Sequence, residues 1–400
     1  MTVQMTGWAR KDGRKGIRNV ILIAYLVECA HHVCTHIARD FSDRDVQVIG
    51  FSGCYPCGYG QDMMAALCTH PNVGAVQLVS LGCENFRKSE LIEAIEASGR
   101  PVNLITIQKA GGTRTAIASG RAWVREQLVA LAGLPRVPLI PSDLVIGTIC
   151  GGSDATSGLT GNPAAGLAFD RLVSEGATCI FEETGELIGC EHIMAARAAT
   201  PELKDRLIHT VEKAARYYAA MGYGSFSQGN ATGGLSTIEE KSLGAYAKSG
   251  NSKIGGIVRP AQQPGTAGLH LLDVVPDGPP KFGFPNINDT AEIVELISCG
   301  AHAVIFVTGR GSVVGSAISP VLKICANPNT YARMSEDMDV NAGRVLTGES
   351  TLMDVGNEIY DKIISLGADG TTVSEDLGHV EFVLTYKTRS HPEPGCHATV

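Results

Sequence analysis

Short apolar runs alternating with segments of helical period constrain this chain more than any other feature. Asn19 to Val27, Val46 to Phe51, Val73 to Leu81 and Val102 to Ile107 read as buried strands. Between and after them lie helix-like stretches: one carrying His32 and His36, one from about Gln61, then Lys88 to Ser98 and Thr113 to Ala132. The second half repeats the style. Leu144 to Thr148, Thr178 to Glu182 and His302 to Thr308 read as strands, and Gly166 to Glu175, Pro201 to Met221 and Tyr360 to Leu366 as helices. Alternation of this kind predicts an α/β fold with parallel sheets. Pro135 to Pro141, with three prolines in seven residues, is the predicted linker, giving one α/β domain over 1–140 and a catalytic α/β domain over 141–400. A weaker boundary is expected near Gly283 to Asn288, and the polar stretch Gly222 to Gly234 shows little regular pattern.

The chain has 400 residues, 44% of them hydrophobic, enough for a large core or two. Its apolar run Val20 to Val27 stops at Glu28, far short of the roughly 20 residues that span a bilayer, so no membrane association is expected. The N-terminus lacks a secretory pattern, which predicts a cytoplasmic protein. Twelve cysteines in such a chain are then thiols or metal ligands rather than a disulfide scaffold. A net charge of -8 without a long basic run argues against nucleic acid as a partner.

Cys54, Cys83 and Cys150 each fall just past a predicted strand, at the edge where open parallel sheets bind ligands. If the strands share a sheet, three thiolates can hold iron with one position left open; buried structural cysteines remain the alternative. Cys54-Tyr-Pro-Cys57 also has the spacing of a thiol redox pair. The loop from Cys150 through Ser153, Asp154 and Ser157 to Asn162 offers amides and hydroxyls to an anionic oxygen, without a dinucleotide or triphosphate motif. Glu183 and Glu186, with Glu191 and His192 beyond, crowd carboxylates at a strand end, where one pKa rises toward a useful range. Asn230 lies in a loop dense in amides and hydroxyls, and Glu239 or Glu240 beyond it fits a capping box. Arg310 follows another strand and is placed to hold a carboxylate in a bidentate fork. Asp337, Asp339 and Asn341 alternate like hard-cation ligands but lack the rest of a calcium loop.

Together these motifs resemble the altronate/galactarate dehydratase family. The matching stretches are Arg10 to Asn19, Gly53-Cys54, Leu81 to Glu84, Cys150 to Asp154, Ser157-Gly with Asn162-Pro, Glu183 to Glu186, Gly229-Asn230 through Ser242, and Thr308 to Gly311, in order over nearly the whole chain. The resemblance implies an iron-dependent β-elimination (Fe2+ or an iron–sulfur cluster) from a small hydroxy or sugar acid to a 2-keto acid, or, in a related branch, release of sulfite from sulfolactate. It implies metal ligands among Cys54, Cys57, Cys83 and Cys150, and base candidates Glu183, Glu186, His192 and Lys241. Substrate contacts are expected from Arg14, Arg18, Ser153, Asp154, Ser157, Asn162, Asn230 and Arg310. Single-chain members carry an N-terminal SAF-type domain, and this sequence opens at the Arg10 region, so a separate small SAF subunit within a homo- or hetero-oligomer is expected. One departure stands out: Gly50 or Gly53 takes the place of a histidine that the dehydratases usually carry, and Cys-Tyr-Pro-Cys replaces the family's Gly-Cys-Gly.

Overall fold

The structure, a computed structural model, describes residues 4–42, 45–220, 225–277 and 288–385. Its first half contains β1 (Thr6–Ala9), β2 (Lys15–Gly16), β3 (Val20–Tyr25), β4 (Val46–Gly50), β5 (Val73–Ser80), β6 (Val102–Thr106) and β7 (Val137–Pro138). Then come β8 (Val145–Cys150), β9 (Thr178–Phe181), β10 (Ile254–Val258), β11 (Gly268–Leu272), β12 (Ala303–Thr308), β13 (Val321–Cys325) and β14 (Val340–Asn341). One sheet has four strands in the order β4-β3-β5-β6, and a second has seven in the order β10-β11-β9-β8-β12-β13-β14. Every pairing within both is parallel.

The continuous apolar runs have a direct structural cause. Every residue of β5 and of β12 is buried, because each is a central strand with both faces covered. One pair of polar side chains meets across β5 and β6, where Asn103 Nδ2 donates to Gln77 Oε1 at 3.0 Å.

Two segments differ from expectation. The proline-rich stretch contains a short strand, β7, which pairs antiparallel with β1, and β1 also pairs with β2 in a small third sheet. Strands of two to four residues are too short to show a period in sequence. The stretch expected to lack regular structure contains a helical turn, Gln228–Thr232, held by a reciprocal Ser227–Asn230 cap. Residues 221–224, and all of the weaker boundary except Asn288, lie outside the described residues. β10, β11, β13 and β14 also escape the sequence pattern; β10 is interrupted by Gly255-Gly256, and β13 carries the buried Lys323.

Asn72, fully buried between the two large sheets, ties them together. Its Oδ1 accepts from the Ile17 and Arg18 amides at 3.0 and 3.3 Å. Its Nδ2 donates to the carbonyls of His302 and Ile318 at 3.0 and 3.2 Å. Asn72→Leu strands these groups without partners, each at a cost of about 1–3 kcal/mol. We expect a clear drop in the urea midpoint; an unchanged midpoint would show that the two sheets do not depend on this residue.

Candidate active site

Three neighbouring strands, β9, β8 and β12, deliver the site at their carboxyl edge. Cys150 is the last residue of β8, Glu183 lies two residues past β9, and Arg310 two residues past β12. The helix Ile238–Tyr246 brings Lys241, and the following tight turn Ala247–Ser249 brings Lys248. Seven residues apart, the two lysines lie two helical turns from each other on one face. Beside Lys241 is a cavity of about 280 Å³, whose walls include Cys150, Glu183, Glu186, Lys241, Asp289 and Arg310.

The innermost group is a fully buried ion pair between Lys248 and Glu183. Lys248 Nζ also lies 3.3 Å from Cys150 Sγ, and Cys150 Sγ lies 3.1 Å from Glu183 Oε2 and 3.8 Å from Glu186 Oε2. Glu183 has φ 96°, a left-handed backbone that a glutamate adopts only when its surroundings impose it. The Glu183 carboxylate also accepts from the Cys150 amide, which explains the imposed turn. Glu186 pairs with Lys241, whose Nζ also donates to the Ser225 carbonyl at 2.8 Å.

These contacts sort the protonation states. Burial, and then repulsion from Glu186, push Glu183 well above the ordinary carboxylate value. Burial pushes Glu186 the same way, but the Lys241 ammonium and the hydrogen bond with Glu183 outweigh it, and its pKa ends below the ordinary value. Burial and the Glu183 charge hold the Cys150 thiol well up. For Lys241, the Glu186 charge overcomes burial and raises the pKa, so it remains an ammonium. Asp289, in the first turn of the helix Asp289–Ser298, is pushed up to about 6 by burial and then by Glu186.

Cys150 Sγ and one oxygen each of Glu183 and Glu186 lie within 4.8 Å of one another, a group able to hold a metal ion. A thiol with two carboxylates suits a divalent ion of the iron type. Asn162 Oδ1, in the side chain whose Nδ2 faces Cys150 Sγ at 3.8 Å, is buried without a hydrogen-bond partner, an acceptor the cluster leaves unsatisfied.

The structure redistributes the residues expected from sequence. Ser153 and Asn230 line the cavity, with Asn230 Nδ2 donating to the Ser153 carbonyl at 3.3 Å. Asp154 is engaged inside its own loop, accepting from Thr156 and Ser157, with Asn327 Nδ2 at 2.8 Å. Ser157 and Asn162 face an adjoining hollow that shares Ser153 and Lys241. His192 is exposed on a short helix and does not line the cavity. Arg14 is bound to Asp12 and to the Thr69 carbonyl at 2.6 Å each, and Arg18 to Glu375 and the carbonyls of Ile17, Leu366 and Gly370. Those five N–H bonds from Arg18 leave its guanidinium none for a substrate. Cys54, Cys57 and Cys83 follow strands of the four-stranded sheet while Cys150 ends a strand of the other, so the condition for one convergent thiol triad is not met. Lys248 and Asp289 were not singled out by sequence reasoning; for Lys248 the heptad spacing from Lys241 was the available signal.

Carboxylates, one ammonium group and a guanidinium line one small cleft at the edge of a parallel sheet, a set of groups able to bind an anion and to exchange protons. Family models match both halves of the chain: the C-terminal domain of D-galactarate/altronate dehydratase over residues 141–390, and the second domain of D-galactarate dehydratase/altronate hydrolase over residues 7–132. The chain belongs to the D-galactarate/altronate dehydratase family. It is 33% identical to the (2R)-sulfolactate sulfo-lyase subunit beta of Chromohalobacter salexigens, over 95% of this chain and 96% of that protein. To the altronate dehydratase of Bacillus subtilis it is 29% identical over 84% of this chain and 68% of that protein. To the galactarate dehydratase of Escherichia coli it is 32% identical over 75% of this chain and 57% of that protein.

The buried pair gives a test of the site's architecture. Lys248→Met leaves Glu183 without its partner and should cost about 3–5 kcal/mol, whereas Lys248→Met with Glu183→Gln should recover much of that loss. Chemical unfolding of the two variants measures it, and equal stability of single and double variants would contradict the pairing.

Proposed function

We propose that the chain is a lyase that eliminates a β-substituent from a small 2-hydroxy carboxylate, leaving an enol that becomes a 2-keto acid. The observation that carries this reading is the cavity itself, where Arg310, Lys241 and Asp289 surround the Cys150, Glu183 and Glu186 group. Arg310 holds the substrate carboxylate, and Ser153, Ser227 and Asn230 orient its hydroxyls. Asp289, ionised above about pH 6, is matched to remove the C2 proton near neutral pH. The Lys241 ammonium neutralises the enediolate and supplies a proton to the departing group. Cys150, Glu183 and Glu186 are the residues that would hold iron, which when bound acts as a Lewis acid toward a substrate oxygen.

Loss of water from a sugar or hydroxy acid is the reaction of the family's dehydratases. A second reading, release of sulfite from sulfolactate, is favoured by the similarity to a sulfo-lyase subunit along nearly all of that protein. The same residues serve both, since each reaction begins at C2 and expels a group from C3. That relative's name as a subunit supports a partner chain completing the enzyme. Among the described residues no helix is long and apolar enough to cross a membrane.

An anaerobic screen of hydroxy acids, sulfolactate included and with a candidate small subunit added, decides between the branches: sulfite with a 2-keto acid, or a 2-keto acid alone. No 2-keto acid from any substrate would overturn the lyase reading. Asp289→Asn should lower kcat by about 10²–10⁴ and abolish the rise in rate as pH passes through about 6. A retained inflection would reassign the base. Arg310→Lys should raise KM about tenfold, the loss of roughly 1.4 kcal/mol of carboxylate binding.

A further inference from the structure

Expelling the β-substituent is only half of the reaction proposed for this cavity. It leaves an enol, and the 2-keto acid forms when the C2 hydroxyl gives up its proton and C3 gains one. By then Asp289 holds the proton taken from C2, and Lys241 has passed one to the departing group. Arg310 keeps its protons at any ordinary pH. The step at C3 needs a further acid, and Tyr218, a cavity-wall residue on the helix Pro201–Ala220, has no part in the first step.

Three side chains of this cavity are seated on glycines in the same manner. A Cβ at Gly151 would overlap the Asp289 carboxylate, one at Gly229 the Arg310 guanidinium, and one at Gly185 the Tyr218 ring, 2.8 Å from its Oη. Gly185 lies in the turn between Glu183 and Glu186, so the phenol rests on the backbone that carries both carboxylates. Ser225 ties that turn to Lys241: its Oγ donates to the Gly185 carbonyl at 2.6 Å, and its own carbonyl accepts from Lys241 Nζ at 2.8 Å. Tyr218 therefore shares a wall with Lys241, the group assigned to the substituent leaving C3.

The state of the phenol suits a donor. Burial, and then the charges of Glu292, Glu182 and Glu186, hold its pKa well above the ordinary phenol value, so it stays protonated through the neutral range. Among the described residues no hydrogen bond engages its hydroxyl.

We propose that Tyr218 protonates C3 of the enol and so fixes the configuration of the new C3–H bond. The assignment rests on the elimination proposed for this cavity. The enol O–H bond breaks and its proton restores the Lys241 ammonium. C2=O forms as the electron pair of the C2=C3 bond takes the phenolic proton. The phenolate then regains a proton from solvent, and Asp289 releases the C2 proton to solvent, which leaves the site as it began.

The test runs the full chain, with its partner subunit where turnover requires one, in D2O on the best substrate of the hydroxy-acid screen. Wild type is compared with Tyr218→Phe, which keeps the ring on Gly185. For an acid whose C3 carries a further carbon, NMR reads the configuration of the deuterium at C3; for any acid, ultraviolet absorbance reads free enol. Wild type should place deuterium in one configuration and release no enol. Tyr218→Phe should consume substrate at close to the wild-type rate, release enol that ketonises in solution, and yield both configurations equally. A merely structural role would lower the rate and keep one configuration. A single configuration or no enol in Tyr218→Phe, free enol from wild type, or complete loss of turnover in Tyr218→Phe would each overturn the assignment and leave the elimination standing. A wild type that forms no 2-keto acid from any acid would overturn the elimination and this assignment with it.

Discussion

A lysine with no contact to water, paired to a buried glutamate at the cavity wall, sets the terms for the rest of this structure. Lys248 and Glu183 meet beneath the carboxyl edge of β8 and β9, beside Cys150. Neither charge is tolerable there alone, so the turn bearing Lys248 must dock against the strand end that bears Glu183. The left-handed backbone at Glu183 is held in place by that docking and by the Cys150 amide.

From that pair outward the site becomes progressively more exposed, and the chemistry changes with it. Glu186 and Lys241 sit at the cavity wall as carboxylate and ammonium, Asp289 titrates near neutrality, and Arg310 stands exposed at the mouth. A fixed, self-neutralised interior lies below a rim of titratable and cationic groups, an arrangement consistent with the proposed elimination because such groups need not reorganise as charge develops. The glycines serve the same end. At Gly151 an added methyl group would meet the Asp289 carboxylate, and at Gly229 the Arg310 guanidinium, so a side chain at either position would displace these groups from where they stand.

The strand-end cysteines show how far sequence position can be trusted. Cys54 and Cys83 lie past a strand's carboxyl end, as their apolar runs indicate, whereas Cys150 is the last residue of β8 itself. Their assignment to one site required that the strands share a sheet, and they do not.

What the sequence alone determined is the parallel α/β class, the central strands, and the loops that carry chemistry, because burial on both faces and strand–helix alternation are local properties. The family was also legible, since its motifs are contiguous. Sheet membership, the partners of Arg14 and Arg18, and the gathering of Lys248 and Asp289 with Cys150 were decided only by the tertiary structure. Arg18 is expected from the family resemblance to contact substrate; Glu375, more than 350 residues away, consumes it. Such pairings depend on which distant segments pack together, and no local pattern encodes the energy of a contact between side chains that far apart in the chain.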